Sequence, residues 1–199
     1  MRDLYQAETE LTHDNPFQLL IATILSAQTT DRSVNLVTPE LFRRYPAALE
    51  LAAADPAEVE KLIKPTGFFR LKTQRIIAAS RALVELFGGD VPKTMDEMVK
   101  IPGIGRKTAN VVLGTAFGQP ALFVDTHVRR LSNRLGLTVE DDPDKIERDL
   151  ADLLPPREWT AFAHRLIHHG RQICVARKPK CSVCPLLRWC PQIGVAGAA

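Results

Sequence analysis

Apolar side chains recur every three to four positions along almost the whole chain, which is the spacing of one face of an α-helix. No run of alternating β-branched residues bounded by hairpin turns, the pattern of half-buried strands, occurs in the sequence. The longest apolar stretch covers residues 17–27 and is shorter than the roughly 20 residues that a bilayer-spanning helix needs. The pattern therefore predicts an all-α protein in which this stretch forms a buried helix.

Capping residues and helix breakers divide this pattern into separate helices. Asp55-Pro56 and Asp142-Pro143 each offer an N-cap followed by a proline in the first turn, and Thr94 with Glu97 forms a capping-box pattern. A further helix is predicted over residues 159–172. The breaks between helices fall at Pro65-Thr66-Gly67, Gly88-Gly89, Pro102-Gly103 and Gly118-Gln119-Pro120.

The composition is that of an ordinary globular protein. The chain has 199 residues, of which 45% are hydrophobic and 25% charged, enough for one large domain or two small ones. The first 17 residues carry acids and lack the apolar core of a signal peptide. We therefore expect a cytoplasmic protein without membrane association.

Charge is segregated along the chain although its formal net value is only +3. Two segments, 61–84 and from 159 to the end, contain basic residues and no acid, whereas acids concentrate in 140–152. Solvated helix faces can have either sign, but two such segments together predict a phosphate-binding surface. The basic residues of these segments are Lys61, Lys64, Arg70, Lys72, Arg75 and Arg81, then Arg165, Arg171, Arg177, Lys178, Lys180 and Arg188.

The segment 101–109, IPGIGRKTA, lies between two predicted helices and forms a helix-hairpin-helix pattern. Gly103 and Gly105 allow a tight turn and let the backbone amides of the second helix approach a phosphate. An ordinary corner between two helices would also use glycines here. Lys107 favours the functional interpretation, because an amine in the first helical turn beside Arg106 is favoured in the neutral form that a nucleophile requires.

Asp125 follows an apolar run eighteen positions after this lysine. Its first interpretation is an N-cap for the next helix. Capping and catalysis are compatible, because a capping carboxylate has a fixed orientation.

The four cysteines all lie near the C-terminus, with the spacing C-x6-C-x2-C-x5-C. In a reducing cytosol such a group predicts metal binding rather than disulfides, and its ligand chemistry suits zinc or an iron–sulfur cluster about equally. The metal would hold in place the basic loop of Arg177, Lys178 and Lys180. The cysteines are Cys174, Cys181, Cys184 and Cys190.

Taken together, these motifs resemble the endonuclease III family of helix-hairpin-helix DNA glycosylases, in the family's order over residues 16–190. The resemblance is carried by Leu25-Ser26-Ala27-Gln28-Thr29-Thr30-Asp31, Ile101 through Asn110, Val124-Asp125-Thr126-His127, His169-Gly170-Arg171 and the four cysteines.

The resemblance implies two all-α domains with a DNA-binding cleft between them. A six-helix domain would cover residues 16–125 and contain the hairpin at about 94–116. Residues 1–15 and 126–199 would form the second domain, which carries a [4Fe–4S] cluster in the loop 174–190.

The resemblance also implies a role for each site residue. Lys107 would be the nucleophile and Asp125 the catalytic acid, while the four cysteines would bind the cluster. Gln28 would fill the gap left by an extruded nucleotide. Phe68 takes the position of a second residue that inserts into the base stack, where relatives often have an aliphatic residue. The residues expected to contact DNA are Gln28, Phe68, Gly103, Gly105, Arg106, Thr108, His127, Arg177, Lys178 and Lys180.

The function that follows from the resemblance is a bifunctional DNA glycosylase and abasic-site lyase of base excision repair. It would act as a monomer on double-stranded DNA containing an oxidised pyrimidine or an abasic site, in the cytoplasm at the nucleoid. Two alternatives stay open from the sequence: an adenine-mismatch-type glycosylase, and a non-catalytic helix-hairpin-helix DNA-binding module with a zinc site.

Overall fold

The computed structural model describes residues 4–195, so the first three and last four residues of the predicted cluster domain lie outside the described range. The described residues contain helices and no strand, which confirms the all-α prediction. Short 3₁₀ turns lie at Lys64–Thr66, Pro156–Glu158, Cys181–Val183 and Leu187–Trp189. The α-helices are α1 (Pro16–Leu25), α2 (Asp31–Arg44), α3 (Ala48–Ala52), α4 (Pro56–Ile63), α5 (Phe69–Phe87), α6 (Met95–Met98), α7 (Arg106–Phe117), α8 (Thr126–Arg134), α9 (Pro143–Leu153) and α10 (Trp159–Gln172).

Side-chain caps and glycines set the ends of these helices. Asp55 and Asp142 accept bonds from backbone amides at the starts of α4 and α9, each followed by proline, as the sequence predicts. Gly88 and Gly118 end α5 and α7 in the left-handed conformation, φ 64° in both, which glycine adopts without strain. Local chemistry therefore accounts for most helix boundaries.

The chain divides into two compact units, and residues 9–119 form one of them. Helix α1 is the centre of this unit: Leu19, Leu20, Ile21 and Leu25 have no exposed surface. It packs against α5 and α7, while α3 and α4 pack against α5. The hairpin is thereby fixed to the most buried helix of its unit.

Residues 4–8 and 120–195 form the other unit. Its helices α8 and α10 pack closely at Gly170, where an added Cβ would lie 2.9 Å from His127 Nδ1 and 3.0 Å from Arg130 Nη2. Glycine suits this position because an added Cβ would force the side chains of His127 and Arg130 to move. Within residues 4–195, no helix has the length and apolar character needed to cross a membrane.

Candidate functional site

The hairpin is built from α6, the turn 99–105 and α7. Thr94 caps α6 by accepting the Glu97 backbone N–H at 3.4 Å, and its hydroxyl donates to the Glu97 carboxylate at 2.6 Å. Ile101 and Ile104 are buried on either side of the turn and anchor it to the unit's core. Gly103 makes the turn with a left-handed φ of 80°.

Helix α7 presents its first turn to solvent. Gly105 precedes it without supplying a side-chain cap, so the first amides depend on other partners. Lys107 and Arg106 are exposed, as are both glycines, and Thr108 is half-buried. The residues that the sequence assigns to phosphate binding and nucleophilic attack therefore share one exposed helix start.

Asp125 is the N-cap of α8, in the other unit. Its Oδ1 accepts the backbone N–H groups of His127 and Val128, both at 2.8 Å. The preceding residues are buried, including Phe123, whose ring meets His164 edge-on with centroids 5.0 Å apart. Burial lowers the pKa of His164 to about 4, so the ring that packs against the segment before Asp125 is neutral.

His127 is half-buried and lies two residues after Asp125, and its ring is in contact with Arg130. Because a guanidinium only donates, the 3.1 Å contact makes His127 Nδ1 an acceptor for Arg130 Nη2. Burial lowers the pKa of His127, and the charges of Arg130 and Arg171 act in the same direction, while the charge of Asp125 and a hydrogen bond to the Gly170 backbone oppose the shift. The imidazole is therefore favoured in its neutral form.

Arg130 also connects the start of α8 to the cysteine loop, a link that sequence reasoning missed. Its guanidinium donates to the Gly170 carbonyl at 2.9 Å and to the Cys174 carbonyl at 3.0 and 3.2 Å. Burial lowers the pKa of Arg130, but an arginine remains charged under all ordinary conditions. No pattern in the sequence marks contacts over 40 positions, so only tertiary structure reveals them.

The four cysteines are free and half-buried, and they line one pocket. Burial raises the pKa of Cys184, and negative charge on each of the other three sulfurs raises it further, while a backbone hydrogen bond opposes the shift. Within residues 4–195, no three His, Cys, Asp or Glu side chains gather closely enough for a single metal ion.

The donor set suits an iron–sulfur cluster, which takes four thiolates and is tuned by hydrogen bonds to its sulfurs. Arg134 donates to Cys174 Sγ at 3.3 Å and to the Val175 carbonyl at 2.8 Å. His169 Nε2 lies 3.5 Å from Cys184 Sγ, and its Nδ1 lies 2.9 Å from the Tyr5 hydroxyl. The Arg134 guanidinium and the His169 ring therefore lie next to cysteine sulfurs that carry negative charge when they are deprotonated.

The basic loop is held from both ends. Arg134 Nη2 donates to the Ala176 carbonyl at 2.9 Å, and the Lys180 N–H donates to the Ile173 carbonyl at 3.0 Å. Arg177, Lys178 and Lys180 are all exposed, as a DNA-contacting loop requires.

Gln28 and Phe68 lie in the same unit as the hairpin, Gln28 after α1 and Phe68 directly before α5. Both are exposed and both have left-handed backbones, with φ of 54° and 46°. Lys178 of the basic loop shares this conformation, with φ 53°. Strained backbone of this kind concentrates at functional sites, and no sequence pattern predicted it here.

One basic residue that was predicted to lie on the surface is buried. Lys72, counted with the predicted phosphate-binding surface, is only 2% exposed, so that prediction is wrong for Lys72. Helix α5 turns this position toward the core, whereas Arg70 and Arg75 are exposed.

Comparison with known proteins gives two family matches. Residues 21–156 match the HhH-GPD superfamily base excision DNA repair protein model, and residues 174–190 match the iron–sulfur binding domain of endonuclease III. The chain is 54% identical over 193 residues to endonuclease III of Synechocystis sp., covering 96% of this chain and 88% of the relative.

Two solved structures are also similar to this chain. A non-covalent endonuclease III–DNA complex matches with a TM-score of 0.89 and 45% identity, covering 93% of this chain and 87% of that one. A trapped covalent endonuclease III–DNA intermediate matches with the same TM-score and identity, covering 94% and 88%.

Proposed function

Because the chain belongs to the endonuclease III family of base-excision DNA repair proteins, we propose that it is a bifunctional DNA glycosylase and abasic-site lyase acting on oxidised pyrimidines in duplex DNA. The observation that carries this proposal is the exposed start of α7, where Lys107 stands in the first turn of a helix-hairpin-helix. The backbone amides beside the glycines can bind a phosphate by themselves, so the exposed amine of Lys107 is available for nucleophilic attack.

DNA binding draws on both units. The uncapped amides of α7 and the adjoining Arg106 and Thr108 bind phosphates at the hairpin, with Gly103 and Gly105 allowing close approach. The loop of Arg177, Lys178 and Lys180 adds charge, and His127 contacts DNA beside Asp125.

The target nucleotide must leave the base stack before chemistry can occur, because its C1′ atom is unreachable inside a duplex. Gln28 and Phe68 take up the space that the nucleotide vacates. Unstacking costs roughly a few kcal/mol, which the phosphate contacts offset.

Lys107 then attacks C1′ of the deoxyribose with its neutral amine while the bond from C1′ to the base breaks. The base departs with the electron pair and takes up a proton. The nitrogen then loses one proton and the C1′–O4′ bond breaks, with O4′ taking up a proton, which leaves a protonated Schiff base between Lys107 Nζ and C1′. Removal of a C2′ proton expels the 3′ phosphate by β-elimination. Asp125 stabilises the positive charge that develops on the sugar and assists the proton transfers.

The cofactor is a [4Fe–4S] cluster, the group bound by the endonuclease III iron–sulfur domain that matches residues 174–190. We assign Cys174, Cys181, Cys184 and Cys190 as its ligands. When bound, the cluster supplies a cross-link between segments of a loop that has little regular structure. Arg134 and Arg130 hold the same loop through its carbonyls, so the chain's own contacts and the cluster fix the basic residues together.

The two rival functions are less well supported. A match across both the repair domain and the iron–sulfur domain does not favour a non-catalytic module with zinc. High identity to endonuclease III over 96% of the chain does not favour an adenine-mismatch-type enzyme.

We further assign the hairpin domain to the unit containing residues 9–119 and the cluster domain to the other unit. The site of action is the cytoplasm, on nucleoid DNA.

Borohydride trapping on a duplex containing thymine glycol or an abasic site tests the proposed function. The wild-type protein should form a covalent adduct, because reduction fixes the Schiff base. Lys107→Gln should abolish the adduct while retaining duplex binding, and Lys100→Gln, which removes another exposed lysine, should trap normally. Absence of a wild-type adduct, or trapping by Lys107→Gln, would refute the proposal.

A further inference from the structure

Lys72 is a buried lysine that the proposed reaction does not use. Its side chain is 2% exposed, and its Nζ donates a 2.7 Å hydrogen bond to the Thr66 carbonyl. Lysines are almost never fully buried unless a partner compensates for lost solvation, and here burial lowers the pKa of the amine. Access is too restricted for Lys72 to act as a second nucleophile.

The carbonyl that Lys72 binds lies at the end of a 3₁₀ turn. Thr66 ends the 3₁₀ turn Lys64–Thr66, and a carbonyl at the end of a helical turn has no partner along its own axis. Thr66 is itself buried, and its hydroxyl donates to the Ile63 carbonyl at 2.7 Å. The Lys72 amine satisfies the carbonyl and places a cation at the negative end of the turn.

Phe68 lies just beyond this anchored turn. Gly67 and Phe68 have consecutive left-handed φ values of 67° and 46°, and the second is costly for a residue that carries a side chain. The Phe68 side chain is nevertheless 64% exposed, so the burial of its own ring does not hold the conformation.

Lys72 secures this strained pair of residues from both sides. Its side chain binds the carbonyl before the pair, and its backbone N–H donates to the Phe68 carbonyl at 3.0 Å. A strained backbone persists only where its surroundings over-determine it, and the buried amine is the part of those surroundings that a substitution can remove.

We propose that Lys72 is a positioning residue, which acts through the Thr66 carbonyl to hold Phe68 in its exposed conformation for insertion into the base stack. This inference rests on the proposed function, since it requires Phe68 to contact DNA. The long apolar stem of lysine suits this role because it packs in the core while its amine reaches back to the turn.

Lys72→Met tests the inference because it keeps a long apolar side chain and removes the donor to Thr66. On a lesion in a fully paired duplex, excision should slow about tenfold, the effect of one lost buried hydrogen bond to a charged donor. On the same lesion in single-stranded DNA, the rate should stay within about twofold, because no stack has to be opened. The fluorescence of 2-aminopurine opposite the lesion should show less base unstacking on binding.

Two further variants separate positioning from general stability. Ser80→Ala removes a buried hydroxyl from the same helix, where it donates to the Ile76 carbonyl at 2.8 Å, and should leave both rates unchanged. Phe68→Ala should slow excision on the duplex, and adding Lys72→Met to it should cause no further loss.

Should Lys72→Met fail to fold, Thr66→Val loosens the same turn by removing the Oγ donor to Ile63, and the same difference between the two substrates is expected. An equal slowing on duplex and single strand would overturn the inference, as would an additive loss in the Phe68→Ala background or wild-type rates from folded Lys72→Met. If the wild-type protein neither excises nor traps, the proposed function fails instead.

Discussion

At the scale of single residues, Asp125 combines a structural and a chemical role. Both of its amide hydrogen bonds go to Oδ1, so capping of α8 fixes the orientation of the carboxylate. The sequence predicted this cap from local pattern alone. The catalytic role assigned to Asp125 remains a proposal, and substitution can separate it from capping.

Asp125→Asn should retain folding stability within a few tenths of a kcal/mol, because asparagine caps helices as well as aspartate does. It should lower the single-turnover excision rate by about a hundredfold or more, since the negative charge beside the sugar is lost. Denaturant unfolding and excision of a thymine glycol lesion measure the two effects.

Asp142→Ala is the matched control, because Asp142 caps α9 through the same pair of amide bonds, accepted by one oxygen at 3.1 Å. It should cost about 1 kcal/mol of stability and leave the excision rate unchanged. Near-normal excision by Asp125→Asn would contradict the assigned role.

Other residues show where local pattern stops being informative. The left-handed backbones of Gln28 and Phe68 and the burial of Lys72 were not predictable, because they depend on contacts between helices. A lysine in an acid-free segment looks the same in sequence whether the helix turns it toward solvent or toward the core.

At the scale of elements, the two hairpin glycines have different reasons to be glycine. Gly103 needs its φ of 80°, which a side chain strains, although an added Cβ would meet only Arg75 Cγ at 3.8 Å. Gly105 has an extended backbone with φ −93°, and nothing lies within 4 Å of an added Cβ. The fold therefore requires the first glycine, and only a bound partner would require the second.

Gly103→Ala should destabilise the protein by about 1–2 kcal/mol because of left-handed strain. Gly105→Ala should cost less than about 1 kcal/mol, yet weaken duplex binding severalfold, because its methyl group would point at the approaching phosphate. Thermal unfolding and binding to an uncleavable abasic analogue measure the two quantities. Unchanged binding by Gly105→Ala would remove the evidence for close approach at this position.

Helix limits were predicted well where a cap or breaker defines them. The helix expected over 159–172 is α10, and α4 and α9 begin at their predicted prolines. The five-residue helix α3 was not predicted, because so short a helix has little periodicity and depends on its packing against α5.

At the scale of the whole molecule, the net charge of +3 conceals a distribution that the sequence showed only in part. A segment of sequence without acids does not necessarily form a basic surface. Lys72 is buried, and Arg165 forms an ion pair with Glu158 at 3.5 Å. Arg177 and Lys178 are exposed on the loop between Cys174 and Cys181. The cysteine site was predicted from sequence only in part. The spacing of the cysteines did not distinguish a zinc site from an iron–sulfur site. The hydrogen bond from Arg134 to Cys174 Sγ joins residues 40 positions apart, so no sequence pattern predicts it.

Arg177→Gln and Lys178→Asn should each reduce the slope of log affinity against log salt by about 1, because each removes one phosphate contact. Asparagine is chosen at 178 because it tolerates the left-handed φ of 53°. Duplex binding across a salt series measures the slope.

Arg43→Gln is the control, because Arg43 already pairs with Glu40 through two hydrogen bonds of 2.7 Å. Its slope should match that of the wild-type protein. A loss of slope equal to that of the loop variants would show that net charge, rather than position, governs binding.

The most direct test of the proposed chemistry is to locate the covalent bond. After borohydride reduction on an abasic duplex, digestion and mass spectrometry should place the deoxyribose remnant on Lys107 Nζ. A remnant on another amine, such as Lys93 or Lys100 in the same unit, would contradict the assignment of the nucleophile.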